Sequence, residues 1–323
     1  MTVKSRLLEL LEQNKGEILS GEHIARELDC TRAAVWKAVR SLREEGYTIE
    51  AGPNKGYMLA RDSNVLSAEG VRPFLEAPQV FIKIYDEVNS TNQAAKQAAV
   101  SGAAGHGSFV AALGQTAGRG RRGREFYSPR DGGLYMSVVL EPKKTLRESL
   151  LITTAAAAAV YKAVLKVCGI SLDIKWVNDL YKDGKKVCGI LTEAVTDFES
   201  GDIEFAIVGI GLNLYLDQEK LPPELQGVAG GIYAAREEAA KADRNRLVAE
   251  IVNILLEETE ELKLSEEYVN HNIVPGREIL VTDSAGTRTA RAIGICEDGR
   301  LLVQEQDGSR SRLSYGEVSI AMP

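Results

Sequence analysis

The chain has 323 residues, 44% of them hydrophobic and 26% charged, with a formal net charge of −7, which is the balance of a packed globule and not of a disordered chain. An acidic total excludes a protein that binds nucleic acid over its whole surface and leaves room for a local basic face. Four cysteines, Cys30, Cys168, Cys188 and Cys296, stand far apart with no C-x-x-C pair, which argues against a zinc site or a disulfide framework.

The start of the chain lacks an apolar leader core, and no run approaches the roughly 18 apolar residues of a membrane span, so a cytoplasmic protein without membrane contact is expected. In "VKSRLLELLE", Val3, Leu7 and Leu11 recur at helical spacing. Ile24 and Leu28 stripe a second helix, and Thr31 is placed to cap a third, striped by Val35, Val39 and Leu42 and ended by Gly46. The tight turn at Asp29-Cys30 makes these a helix-turn-helix candidate. Between Thr31 and Arg43 there are basic residues at Arg32, Lys37, Arg40 and Arg43 and no acidic one, as a helix meeting phosphates requires. The strand-like runs around Gly52-Pro53-Asn54-Lys55 read as a hairpin wing. Three surface helices with solvated cations would give the same pattern, and Trp36, off the apolar stripe, reads equally as an exposed contact residue or a partly buried one.

Residues 60–73 are polar and turn-rich and read as a connector. Beyond it "SFVAAL", "LYMSVVL", "LDIKWV", "KVCGILTEAV" and "IEFAIVGIGLNL" are predicted strands, while "TNQAAKQAAV" and "RESLLITTAAAAAVYKAVLKV" are predicted helices. Strands joined by short turns predict a mixed sheet with helices packed on it. From about residue 275, "REILVT", "RTARAIGI", "RLLVQE" and "SRSRL" alternate with turn signals at Ser284-Ala285-Gly286, Asp298-Gly299 and Asp307-Gly308, the spacing of a small β-barrel.

The densest signal is Gly118-Arg119-Gly120-Arg121-Arg122-Gly123-Arg124. Its glycines match the dinucleotide fingerprint, but that fingerprint needs a helix to begin at the third glycine, and here Pro129, Gly132 and Gly133 lead into another strand; Glu141 at that strand's end falls at the fingerprint's acidic position by coincidence of spacing. The remaining reading is a flexible loop whose glycines allow close approach and whose guanidiniums grip phosphate or carboxylate oxygens, as a nucleotide-like polyanion needs. An exposed loop that binds RNA has the same composition.

Ser90-Thr91-Asn92, Gln115 followed by the arginine loop, Lys175-Trp176-Val177-Asn178-Asp179-Leu180, Lys186-Val187-Cys188-Gly189-Ile190-Leu191 and Gly209-Ile210-Gly211-Leu212-Asn213 occur in an order that resembles the biotin protein ligases. With the first and last segments, the chain resembles the bifunctional members that also act as biotin operon repressors. Two positions depart from the family pattern: Val177 stands where Pro is usual and Phe126 where Trp is common.

The resemblance implies an α/β multidomain chain. Residues 1–64 would form a winged helix-turn-helix, 65–273 a mixed-sheet, class II synthetase-like catalytic domain that binds biotin and ATP, and 274–323 an SH3-like barrel. It implies biotin, ATP and Mg2+ as substrates and ion, with no protein-held metal or prosthetic group. Catalysis would fall to Lys186, Arg119, Arg121 and Asp179. Biotin would lie among Ser90, Thr91, Asn92, Gln115, Gly118, Arg119, Gly120, Arg121, Lys186 and Gly189, the nucleotide among Arg124, Phe126, Asn178 and Asn213, and operator DNA against Arg32, Trp36, Lys37 and Arg40. The implied partners are a biotin carboxyl carrier domain, such as that of acetyl-CoA carboxylase, operator DNA and a second copy of the chain. A ligand-sensing transcription factor without turnover and a lipoate ligase relative are the alternatives.

Overall fold

The computed structural model describes residues 2–52, 56–130, 132–141, 149–196, 203–283, 286–314 and 317–320. The predicted turn residues Pro53-Asn54-Lys55 and Ser284-Ala285, and the Arg147-Glu148 start of a predicted helix, lie outside the described residues. The chain forms two compact units: Met1–Gln79 with Ala235–Asn253, and Val80–Ala234 with Ile254–Pro323.

The first unit is built on α1 (Val3–Gln13), α2 (Gly21–Glu27) and α3 (Arg32–Glu44), followed by the strands β1 (Ile49–Gly52) and β2 (Gly56–Leu59). Each helix starts on a hydroxyl, with Thr2, Ser20 and Thr31 accepting from the N–H groups of Ser5, His23 and Ala34. At the turn Asp29 takes φ 46°, and the next N–H, from Cys30, reaches the Ala25 carbonyl at 2.9 Å. Gly46, at φ 95°, releases α3 into the hairpin. The predicted stripes converge, with Leu7, Leu11, Ile24, Val35 and Leu42 fully buried around Leu59. β1 and β2 pair antiparallel with Ile49 opposite Leu59.

The stretch predicted as a connector is more structured than its composition suggests. It holds α4 (Ala68–Val71) and is tied down by two asparagines of the later chain, in the helix that follows α7 (Arg236–Ala239). Asn245 accepts from the Ser67 N–H at 3.1 Å and donates to the Val65 carbonyl at 3.0 Å; Asn253 does the same for the Glu76 N–H and the Phe74 carbonyl. Polar residues there satisfy a buried partner, so polarity did not mark a linker.

In the second unit a seven-stranded sheet carries β3 (Ile82–Tyr85), β4 (Phe109–Ala112), β5 (Gly133–Leu140), β6 (Asp173–Lys175), β7 (Asp179–Lys182), β8 (Lys185–Thr196) and β9 (Ile203–Asn213). Their order is β3-β4-β5-β9-β8-β7-β6; β3 and β4 run parallel and every other pair antiparallel, the mixed sheet expected. The helices α5 (Thr91–Val100) and α6 (Ser149–Cys168) pack on it. The fully buried alanines 155–159 let α6 approach closely.

One expectation is corrected. Leu150–Cys168 is long and apolar enough to cross a membrane, with mean hydropathy 1.6; small and hydroxyl residues disguise the run, and two-thirds of it is buried inside the protein, the mark of a core helix.

Two further helices, α8 (Arg244–Glu260) and α9 (Glu266–Asn270), lead to a five-stranded antiparallel sheet of β10 (Glu278–Asp283), β11 (Gly286–Ile295), β12 (Leu301–Glu305), β13 (Arg310–Leu313) and β14 (Glu317–Ile320), ordered β13-β12-β11-β10-β14. Its core is Ile279, Val281, Ala292, Leu301 and Val303, all fully buried.

Candidate active site

The parallel ladder of β3 and β4 runs on past the strand ends, with Val88 N–H reaching the Gly114 carbonyl and Thr116 N–H the Val88 carbonyl. That brings Gln115 to the start of α5. Its Oε1 accepts from the Thr91 N–H at 2.9 Å and from the Thr91 hydroxyl at 3.1 Å, while its Nε2 donates to Ser128 Oγ at 2.9 Å. Ser90 occupies the N-cap position of α5 and makes no capping bond with its side chain, so its hydroxyl is not spent on the helix.

The arginine segment folds back on itself as a small hairpin where sequence suggested a flexible loop. Arg119 and Glu125 face each other as an antiparallel backbone bridge, the Gly120 N–H donates to the Arg124 carbonyl at 2.7 Å, and Phe126 N–H closes onto the Gly118 carbonyl at 2.9 Å. Arg122, at φ 56°, and Gly123, at φ 74°, turn the tip; a single irregular 3-10 turn, Arg121–Gly123, stands there and leads to no α-helix, consistent with rejecting the dinucleotide fingerprint. Gly118 is a packing residue: a Cβ on it would stand 2.3 Å from the Phe126 carbonyl oxygen.

Trp176-Val177-Asn178 forms the turn between β6 and β7. Tyr268 donates to the Val177 carbonyl at 3.0 Å, and Asn178 exchanges hydrogen bonds with Ile190, its carbonyl accepting and its Nδ2 donating, both at 2.9 Å. These bonds fix the turn without a proline. The buried Trp176 Nε1 donates at 2.9 Å to the Gly299 carbonyl, between β11 and β12, so the C-terminal sheet braces this turn. Trp176→Phe is expected to leave that carbonyl unpaired and to cost about 1–2 kcal/mol, read as a lower denaturant midpoint at unchanged slope.

These elements enclose a cavity of about 360 Å³, within the range of small-molecule sites. Of the predicted site, Ser90, Thr91, Asn92, Gln115, Arg119, Gly120, Arg121, Arg124, Phe126, Asn178, Asp179, Lys186 and Gly189 line it together. Gly118 and Asn213 are not on its wall; Asn213 is buried where β9 ends beside β5. Lys175, Tyr181, Val228 and Val318 also line it, and sequence had marked none of the four as site residues. Val318 belongs to β14, so the C-terminal sheet contributes to the cavity wall as well as bracing the Trp176 turn.

Arg121 Nη1 donates to Asn178 Oδ1 at 3.0 Å, and Lys186 Nζ lies 2.7 Å from Asp179 Oδ1. That oxygen is buried and receives no aligned hydrogen bond, so the ammonium is what offsets its charge. The Phe126 ring lies on the backbone of Gly189 and Gly211; a Cβ on Gly211 would meet the ring at 2.4 Å. Burial pushes the Tyr181 phenol up to about 12, with the Asp179 charge adding to it, so it is a neutral donor. Burial likewise pushes the Cys188 thiol up, which makes it an inert packing residue.

A polar cavity lined by six cationic residues, Arg119, Arg121, Arg122, Arg124, Lys175 and Lys186, with an amide and hydroxyls beside them, defines a site for an anionic small molecule. Comparison with known proteins agrees. Residues 85–213 match the biotin/lipoate A/B protein ligase family, 3–58 a helix-turn-helix domain, and 275–320 the biotin protein ligase C-terminal domain. The bifunctional ligase/repressor BirA of Bacillus spizizenii is 34% identical over 320 residues, covering 95% of both chains, and that of Escherichia coli is 28% identical, covering 99% of this chain and 97% of its own. The biotin protein ligase of Aquifex aeolicus, solved with biotin and ATP, superposes with a TM-score of 0.60 at 26% identity, over 75% of this chain and 99% of that one. The chain belongs to the BirA-like family of bifunctional biotin protein ligases and repressors.

Proposed function

We propose that the protein joins biotin and ATP into biotinyl-5'-adenylate and transfers the biotinyl group to a lysine of a biotin carboxyl carrier domain. One observation carries this: Arg119, Arg121, Arg124 and Lys186 converge on a single cavity that Ser90, Thr91 and Gln115 also line. A carboxylate acylates an amine poorly. Its oxygen therefore attacks the α-phosphorus of ATP, pyrophosphate leaves, and the acyl adenylate then loses AMP as the amide forms. The first step brings two anions together, so clustered cations lower its barrier.

Arg119 and Arg121 order the carboxylate and phosphates, and Lys186 bridges carboxylate and α-phosphate. Ser90, Thr91 and Gln115 hydrogen-bond the ureido ring, which needs donors and acceptors in a dry pocket. Asn92, Gly120 and Gly189 shape that pocket, and Gly118, off its wall, lets the arginine hairpin close. Arg124 and Phe126 cover the nucleotide, with Asn178 on its side; Asn213, buried off the cavity wall, has no contact with it. Asp179 organises the proton that leaves the acceptor lysine during amide formation. A magnesium ion carried by ATP would neutralise part of the triphosphate's charge beside these cations.

The first unit is read as the operator-binding part. Arg32, Trp36, Lys37 and Arg40 are all exposed on α3, Trp36 at 57%, with the Arg40 guanidinium 6.0 Å from the indole centroid. Arg43 is spent on the hairpin, its Nε donating to the Ile49 carbonyl at 2.9 Å. A homodimer would present two such helices to a two-fold site, with adenylate occupancy linked to dimerisation. The functional divisions are taken as 1–64, 65–273 and 274–323. The central one is read as class II synthetase-like and the last as an SH3-like barrel, in keeping with its short antiparallel strands.

Mass spectrometry after mixing the protein with biotin, MgATP and a carrier domain tests the ligase. A carrier mass increased by one biotinyl group is expected; no product, or product only with lipoate, overturns it. Lys37→Ala with Arg40→Ala is expected to remove operator binding in a mobility shift and to leave biotinylation unchanged, because both side chains are solvent-facing and distant in sequence from the cavity residues.

A further inference from the structure

Glu193 lies outside the cavity wall and outside every motif that identified the site. On β8 the pleat puts Gly189, Leu191 and Glu193 on one face, so the carboxylate follows two wall residues along the strand. Its two oxygens have separate partners. Oε2 accepts from Asn92 Nδ2 at 2.7 Å, at the first turn of α5, and Oε1 lies 3.4 Å from Arg119 Nη1, in the arginine hairpin. The Asn92 amide is otherwise committed: its Oδ1 receives the Ser137 hydroxyl at 2.6 Å, and it packs so closely on Gly209 that a Cβ there would stand 2.1 Å from Oδ1. Asn92 is therefore a fixed point, and Glu193 carries that fixity to Arg119.

We infer that Glu193 is a positioning residue for the acid-activating step, holding Arg119 by one guanidinium nitrogen so that its remaining donors are ready for the substrate carboxylate. This rests on the ligase reading above. A guanidinium has five N–H donors, and a single-point contact leaves most of them available. A long side chain that is half exposed otherwise pays rotamer entropy each time it engages a ligand, and a pre-set arginine pays less. The contact is too exposed to be a stability device.

The test separates the carboxylate's two jobs. Glu193→Gln keeps an oxygen for Asn92 and removes the charge that holds Arg119; in pyrophosphate-release assays the KM for biotin is expected to rise about fivefold with kcat and the KM for ATP changed less than about twofold. Glu193→Ala removes both contacts, and the KM for biotin is expected to rise about thirtyfold. In an Arg119→Ala background, Glu193→Gln is expected to have no further effect on the KM for biotin, the non-additivity of residues acting through one another. An unchanged or lowered KM for biotin in Glu193→Gln, equal losses in kcat and in both KM values, or full additivity with Arg119→Ala would each overturn the inference. Wild-type protein that releases no pyrophosphate with biotin and ATP would instead overturn the ligase reading.

Discussion

Lys186→Ala is expected to lower kcat for adenylate formation by about a thousandfold, measured as pyrophosphate release, with a melting temperature close to that of the parent protein. The ammonium lies against Gly189: a Cβ there would stand 3.2 Å from its Nζ. The side chain is 30% exposed at the cavity wall, so its truncation is expected to leave the fold in place. Two effects would combine. The transition state loses a charge placed where two anions meet, and the Asp179 carboxylate, 22% exposed in the cavity wall, loses the ammonium beside it and repels the incoming substrates. The second effect can be isolated. Adding Asp179→Asn to Lys186→Ala is expected to recover biotin affinity and none of kcat, by calorimetry and by rate. If the single variant kept a rate within tenfold of the parent, the assignment of Lys186 to the α-phosphate would fall.

The residues that line the cavity were legible because they sit in short runs with unusual composition. Arginine and glycine crowded into residues 118–124, a polar Ser90-Thr91-Asn92 ahead of an alanine-rich helix, and Lys186 beside Gly189 each stand out locally, and α5 runs over Thr91–Val100 as its pattern predicts. What was not legible depends on register. Nothing around Glu193 in "ILTEAV" differs from an ordinary strand; it becomes interesting only when β8 and α5 place its carboxylate between Asn92 and Arg119. Tyr181 lies on a four-residue strand, too short for periodicity to declare. α8 was readable in principle, since Leu247, Val248, Ile251, Val252 and Leu255 are buried at helical spacing, yet no motif drew attention to it. Its Asn245 looks like a helix-start polar residue and is instead a fully buried clasp on Ser67 and Val65.

The first unit is expected to lose stability as pH rises from about 4.5 to about 7, and Glu12 is the reason. Its side chain, on α1, is almost wholly buried, and burial pushes its carboxyl from 4.5 up to about 7. The Lys15 ammonium, 3.5 Å from Oε2, opposes the rise, and Asp243 adds to it. Glu9, also on α1, is raised by burial as well, with Arg72 opposing and Glu69 adding. Burial pushes the Tyr47 hydroxyl up too, so it stays neutral across this range. A carboxyl whose pKa is higher in the folded protein favours folding while protonated; that contribution is complete below the unfolded value and is lost as pH climbs through the folded one. The displacement of Glu12 corresponds to roughly 3 kcal/mol between the two ends of the window, an upper bound because partial opening would admit water. Amide exchange of α1 peptides is expected to be slower at about pH 5 than at about pH 8 once corrected for the intrinsic rate. Glu12→Gln, neutral at every pH, is expected to flatten that difference and to protect α1 at the higher pH. A Glu12→Gln protein with the parent's full pH dependence would show that the buried carboxyl is not its source.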